Sequence, residues 1–194
     1  MKYNPDRYRR RSIRLQGYDY TSPNAYFVTI CSYNHESLFG DVKMDKIVLN
    51  QFGRIIFEKW NQIPKYFKNT QIDQFIIMPN HLHGIVIIVT AKHSSEEFTE
   101  SLNNKHKNAS PSHPAGTMPD SVSSIIQNFK SVTTRKINQI RKTSSAKLWQ
   151  RNYYEHIVRN EKELNQIREY IIDNPLKWEF DEDNPKKWER LCLI

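Results

Sequence analysis

The sequence predicts an α+β fold of ferredoxin-like type, with an antiparallel sheet and helices packed mainly on one side. Three observations carry that prediction. Short runs rich in β-branched and aromatic residues alternate with longer runs of helical periodicity. Two of the strand-like runs are separated only by the turn dipeptide Pro79-Asn80, which predicts an antiparallel hairpin. The coarse order is strand, strand, helix, strand, strand, helix, extended segment, helix. Antiparallel strands with helices gathered to one side fit this class.

The elements follow in order. Tyr26 to Tyr33, YFVTICSY, reads as a strand. Leu38-Phe39-Gly40-Asp41 reads as a turn, and Lys46 to Leu49 as a second short strand. From Gln51 to Tyr66, Phe52, Ile55, Ile56, Trp60 and Ile63 fall at helical spacing, with Pro64 at or near the end. Ile72 to Met78 and His81 to Thr90 form the hairpin and read as central strands. Lys92 to Met118 is rich in Ser, Asn, His, Lys and Pro and reads as a long flexible surface insert. Its histidines, His93, His106 and His113, have no ligand-like spacing. Pro119-Asp120-Ser121 starts a helix whose stripe is Val122, Ile125, Ile126, Phe129, Val132, Thr133, Ile137 and Ile140. Leu148 to Val158 is an aromatic segment, extended in part. Asn160 caps a last helix with Leu164, Ile167, Ile171 and Ile172 on its apolar face, and Asn174-Pro175 is expected to end it. The organisation is thus a basic arm at 1–20, one domain at 21–178 with an insert at 92–118, and a tail at 179–194.

Composition narrows the function classes. With 194 residues, 38% hydrophobic and 26% charged, the chain can bury one substantial core. No apolar run approaches the roughly 20 residues that span a bilayer, so no membrane partner is expected. The N-terminus lacks the apolar stretch of a secretory signal. Cys31 and Cys192 suggest neither a disulfide framework nor a zinc knuckle, and a cytoplasmic location is expected. The net charge is +8, and the cations cluster. Arg9, Arg10, Arg11 and Arg14 crowd the arm; Lys130, Arg135, Lys136 and Arg151 belong to a second cluster. Tyrosines interleave with both. Cations neutralise phosphates and aromatic faces stack on unpaired bases, so these residues are candidate nucleic-acid contacts. Tyr153, Tyr154 and His156 are candidates for a strand channel, with packing as the alternative for the tyrosines.

The chemistry centres on two places. His81 and His83 alternate on a strand, so both imidazoles leave one face while Leu82 leaves the other. Two such imidazoles can share a metal ion, or simply occupy a solvated sheet face. Tyr170 lies on the last helix with Asn174 four residues on, hence on the same side. Brought together, the histidines and Asn174 can hold a divalent cation, and Tyr170 can aim its hydroxyl at a phosphate. Taken alone, Tyr170 is also compatible with a tyrosine at the core edge. No general base stands out, since helix geometry sends Glu169 and Asp173 away from Tyr170.

Three segments carry a resemblance. MPNHLHGIVII, LWQRNYYEHIVRNEKELNQIREYIIDNPLKW and RRSIRLQGYDYTSPNAYFVTICSYN resemble the HUH single-tyrosine transposases, and among them the REP-associated, IS200-like group. The resemblance spans nearly the whole chain except the insert and the tail. It implies His81 and His83 as metal ligands, Asn174 as a third ligand, and Tyr170 as nucleophile. It implies Mg²⁺ or Mn²⁺ as cofactor and single-stranded or hairpin DNA beside palindromic repeats as partner. The implied reaction is cleavage and strand transfer through a 5′-phosphotyrosine, by a monomer or a homodimer. The competing readings are a non-catalytic hairpin-binding relative, a metal nuclease that uses activated water, and an unrelated enzyme with a chance His-Leu-His.

Overall fold

The computed structural model describes residues 18–89, 118–181 and 184. Arg9, Arg10, Arg11 and Arg14, nearly all of the 92–118 insert and most of the 179–194 tail lie outside the described residues. The elements are β1 (Asn24–Cys31), β2 (Gly40–Lys43), β3 (Lys46–Leu49), α1 (Gln51–Asn61), α2 (Ile63–Tyr66), β4 (Thr70–Ile77), β5 (His81–Ile88), α3 (Val122–Arg141), β6 (Tyr154–Ile157) and α4 (Glu161–Lys177). Short 3-10 turns follow β1 and α4, at Tyr33–His35 and Trp178–Phe180.

Four strands make one antiparallel sheet in the order β4-β5-β1-β6, and β2-β3 is a separate hairpin. Strand alternation divides the sheet into two faces. On one face, Tyr26, Val28, Ile30, Leu82 and Val86 pack with Ile56 and Trp60 of α1 and with Ile125, Ile126, Phe129 and Ile137 of α3. Gly84 makes room there, because a Cβ on it would stand 2.5 Å from the Trp60 ring. On the other face, Ala25, Phe27, Ile85 and Ile87 pack with Leu164 and Ile171 of α4. Two long helices therefore share one face and α4 alone covers the other, which is the expected α+β arrangement. Trp60 is fully buried between sheet, α1 and α3, and truncating such a residue to Ala costs about 3–5 kcal/mol.

Helix ends follow local chemistry. Asn50 caps α1 by accepting from the Phe52 and Gly53 amides, and Ser121 caps α3 through the Ser124 amide. Asn160 accepts from the Glu163 amide at the start of α4, while Glu163 reaches back to the Arg159 amide. That is a reciprocal cap shifted by one residue.

Three expectations are corrected. Leu38–Asp41 is not the turn: β2 already starts at Gly40, and the chain reverses at Met44-Asp45, both at positive φ. A two-residue hairpin turn needs that conformation, and Met is a poor advertisement for it. The run from Gln51 to Tyr66 is two helices, because Pro64 sits in the first turn of α2 rather than at the end of one helix. Asn174-Pro175 does not end α4, which runs on to Lys177 with Pro175 inside it. Proline there forfeits one bond, to the Ile171 carbonyl, while burial of Asn174 and Trp178 holds the last turn in place.

Candidate active site

The site begins at the β4-β5 turn. Met78 donates to the His81 carbonyl at 2.8 Å, closing the hairpin around Pro79-Asn80. The turn is tied on both sides: Ser32 donates to the Asn80 carbonyl at 2.7 Å and Phe39 to the Pro79 carbonyl at 2.9 Å. His81 therefore starts β5 at a fixed height, and His83 follows on the same face. Their ring centroids are 4.5 Å apart, and both residues are buried. This is not a solvated sheet face.

Each imidazole is oriented by a neighbour. The buried Asn80 donates its amide nitrogen to the His35 carbonyl at 3.0 Å, which fixes the amide's direction. Its oxygen then accepts from His81 Nδ1 at 2.9 Å, which puts the ring's lone pair on Nε2. Thr29, opposite His83 in the β1-β5 register, lies 2.8 Å from His83 Nδ1 through its hydroxyl. In the tautomer that presents Nε2 to a cation, Nδ1–H donates to Thr29. Burial first, and the neighbouring His81 second, hold His83 well below the ordinary imidazole range. His83 is thus neutral, as a metal ligand must be.

Helix α4 brings the other two groups. The Tyr170 hydroxyl lies 3.3 Å from His83 Nε2, and its ring meets those of His83 and Phe27 edge-on. Phe27 in turn stacks on His83 at 5.5 Å. Two turns past Tyr170, the Trp178 ring lies 6.0 Å from His81. Asn174 sits midway between Tyr170 and Trp178 on that side of the helix. It is only 2% exposed, and its Oδ1 is buried with no hydrogen-bond donor among the described residues. A buried amide oxygen without a donor is costly unless a cation or water meets it. Among the described residues, no three His, Cys, Asp or Glu side chains gather as a metal site. The structure therefore brings His81, His83 and Tyr170 together, and Asn174 lies buried one helical turn past Tyr170.

Other contacts hold α4 at this setting. The β4-β5 register shifts between Ile72 and Phe75, and Asp73, within that irregularity, takes both Nε (3.0 Å) and the terminal nitrogen of Arg168. Arg168 stands two residues before Tyr170. At the other end of the helix, Glu163 binds His156 of β6 at 2.8 Å. Asp173 pairs with Lys177 at 3.6 Å, away from Tyr170 as helix geometry requires.

The cationic candidates fall elsewhere. Arg135 and Lys136 are exposed on α3, in the layer across the sheet from the histidines, and Arg151 is exposed before β6. Lys130 is committed to the fold: its ammonium donates to the Gln150 and Asn152 carbonyls at 3.0 and 2.9 Å, and burial pushes it down to about 8. Tyr153 faces the α3 layer and donates to Glu155 at 2.7 Å. Sequence reasoning passed over Asn80, Thr29, Phe27, Asp73 and Trp178. Only the first two left a trace, a turn residue beside His81 and a Thr on a strand.

Comparisons with known proteins bear on the family and the fold. The family described as "Transposase IS200 like" matches residues 116–174, a span that includes α3, β6, Tyr170 and Asn174. An uncharacterized protein of Haemophilus influenzae is 41% identical over 182 residues, covering 93% of this chain and 96% of its own. The solved structure of a REP-associated tyrosine transposase bound to a REP hairpin superposes with a TM-score of 0.51 at 19% identity, covering 80% of this chain and 68% of that one. At that identity the likeness establishes the fold alone, an antiparallel sheet flanked by helices. No helix among the described residues is long and apolar enough to cross a membrane. The chain belongs to the IS200-like transposase family.

Proposed function

We propose that this transposase cleaves single-stranded DNA beside a hairpin or palindromic repeat and transfers the strand through a 5′-phosphotyrosine on Tyr170. The observation that carries the reading is the Tyr170 hydroxyl 3.3 Å from His83 Nε2, with the buried Asn174 Oδ1 one helical turn further on. Two imidazole nitrogens and one amide oxygen suit a divalent cation, Mg²⁺ or Mn²⁺ in use, and leave positions for phosphate oxygens. When bound, that cation neutralises and orients the phosphodiester.

The protein groups supply the rest. Asn80 and Thr29 hold the imidazoles in the ligating tautomer. Arg168 on Asp73 and Glu163 on His156 fix α4, so that Tyr170 meets the phosphate at a set height. The phenolic oxygen bonds to phosphorus, and the bond to the 3′ oxygen breaks, that oxygen taking a proton from solvent to become a 3′-OH. A phenol of pKa about 10 must lose its proton on the way. Tyr170 is 43% exposed, so solvent can carry that proton away. The phosphotyrosine ester retains the energy of the broken bond, so rejoining to a second 3′-OH requires no ATP.

The net charge of +8 and the exposed cations of α3 suit a DNA partner, and the hairpin-bound neighbour points to the same substrate.

The test incubates the protein and Mn²⁺ with a labelled DNA hairpin carrying a single-stranded flank. Wild type gives a denaturation-resistant protein–DNA adduct; Tyr170→Phe and chelated wild type give none. An adduct that survives Tyr170→Phe overturns the nucleophile. Cleavage without any adduct identifies activated water instead.

A further inference from the structure

The site face holds one aromatic residue that the reaction leaves unused. Tyr154 pairs with Thr29 across β1-β6, and Thr29 pairs with His83 across β1-β5. Tyr154 therefore stands in the same cross-strand row as a candidate metal ligand, on the same face. Its ring meets Phe27 edge-on at 6.2 Å, and Tyr170 meets Phe27 edge-on from another side at 6.0 Å. The two tyrosines are thus no more than about 12 Å apart, over a floor of buried Phe27 and His83. They are also almost equally open, 44% for Tyr154 and 43% for Tyr170.

The fold explains why Tyr154 is uncovered. Helix α4 lies over β4, where Arg168 grips Asp73, and its first turn closes over the far end of β6 through His156 and Glu163. The start of β6 is at the sheet's edge, and no helix among the described residues covers it. The neighbouring tyrosine turns the other way: Tyr153 bonds Glu155 and lies under the Lys130 ammonium. A half-open phenol ring beside the nucleophile has no structural task of that kind.

From this geometry we infer that Tyr154 is a stacking platform for one unpaired base of the DNA strand, next to the scissile phosphate. The inference rests on Tyr170 being the nucleophile that meets that phosphate. A stacked strand advances about 3.4 Å per nucleotide, so the base on Tyr154 belongs to the first few nucleotides from the cut. Every base has a π-face, and the strand is anionic while the protein is cationic, so occupant and platform are complementary. Recognition by stacking tolerates any base and rejects an abasic position.

The experiment uses full-length Tyr170→Phe, which binds without cutting. Its DNA is a hairpin with a ten-nucleotide single-stranded flank, carrying 2-aminopurine at one flank position at a time. Fluorescence quenching at one position near the cut, lost in Tyr154→Leu and kept in Tyr154→Phe, is the expected result. Affinity falls about 5- to 150-fold in Tyr154→Leu, and an abasic substitution at that position costs wild type the same factor but leaves Tyr154→Leu unchanged. Quenching and affinity that are the same in Tyr154→Leu overturn the platform. Adduct formation by wild type on the same DNA is scored separately. Quenching without an adduct removes the nucleophile reading and keeps the base contact, whereas an adduct with Tyr154-independent quenching does the reverse.

Discussion

Replacing Asn174 by Leu separates stability from cation binding. Asn174 is almost fully buried, and its Oδ1 meets no donor among the described residues. An unsatisfied buried amide costs about 1–3 kcal/mol. Leu has similar size and no polar atom, so without metal the variant is expected to match or exceed wild type by about 1 kcal/mol, after some loss to imperfect packing. Cation binding moves the opposite way. At a Mn²⁺ concentration 100 times its Kd, wild type gains about 2.7 kcal/mol of folding stability. Losing one of three protein donors weakens binding by about 10- to 100-fold, a range typical of lost support at such sites. At the same Mn²⁺ concentration the gain then shrinks to about 1.4 kcal/mol at the mild end and about 0.4 kcal/mol at the severe end. Urea unfolding of both proteins, with and without Mn²⁺, measures all four numbers. A variant that is destabilised by several kcal/mol without metal, or that keeps the full Mn²⁺ increment, refutes Asn174 as a cation-facing oxygen.

Four other outcomes follow from the same contacts. Thr29→Val deletes the hydroxyl at His83 Nδ1 and should cost about 1 kcal/mol of stability and about tenfold in Mn²⁺ affinity, read by calorimetric titration. Arg168→Met frees α4 from Asp73; the pair is part-exposed, so a loss of about 1–2 kcal/mol is expected, with adduct formation slowed more than DNA binding is weakened. The folded pKa of His83 is the depressed one, so its contribution to stability is complete above about pH 6.5 and is lost as pH falls from there towards the folded value. Metal-free wild type should therefore lose more stability than His83→Gln between pH 7.5 and 5, and parallel urea midpoints would count against this. Arg135→Gln and Lys136→Gln should each lower the salt slope of DNA binding by up to about 1, whereas Lys130→Met should lower the unfolding midpoint and leave that slope unchanged.

The strands and long helices were legible because their periodicities are strong. YFVTIC and HLHGIVII alternate or run apolar, and the α3 stripe is buried at Val122, Ile125, Ile126, Phe129, Thr133 and Ile137 as its spacing predicts, while Val132 is half-buried and Ile140 exposed. The pairing of His81 with His83 needed only strand alternation, and Tyr170 with Asn174 only the helical turn. That Tyr170 meets the histidines depends on contacts between residues far apart in sequence: Arg168 with Asp73, and Trp178 with His81. Neither partner carries a local signal. The Met44-Asp45 reversal was hidden because Met gives no signal for positive φ, although Asp tolerates it, and the persistence of α4 through Pro175 because burial of Trp178 outweighs a local bias. Lys130 read as one more surface cation. Only the fold reveals the two carbonyls that its ammonium binds.

The measurement closest to the central claim is peptide mass mapping of the protein after reaction with Mn²⁺ and hairpin DNA. The account predicts a single nucleotide-bearing peptide, with the 5′ phosphate esterified to Tyr170 and a matching DNA fragment ending in a 3′-OH. Attachment at another residue, or fragments of complementary polarity with no modified peptide, would contradict it.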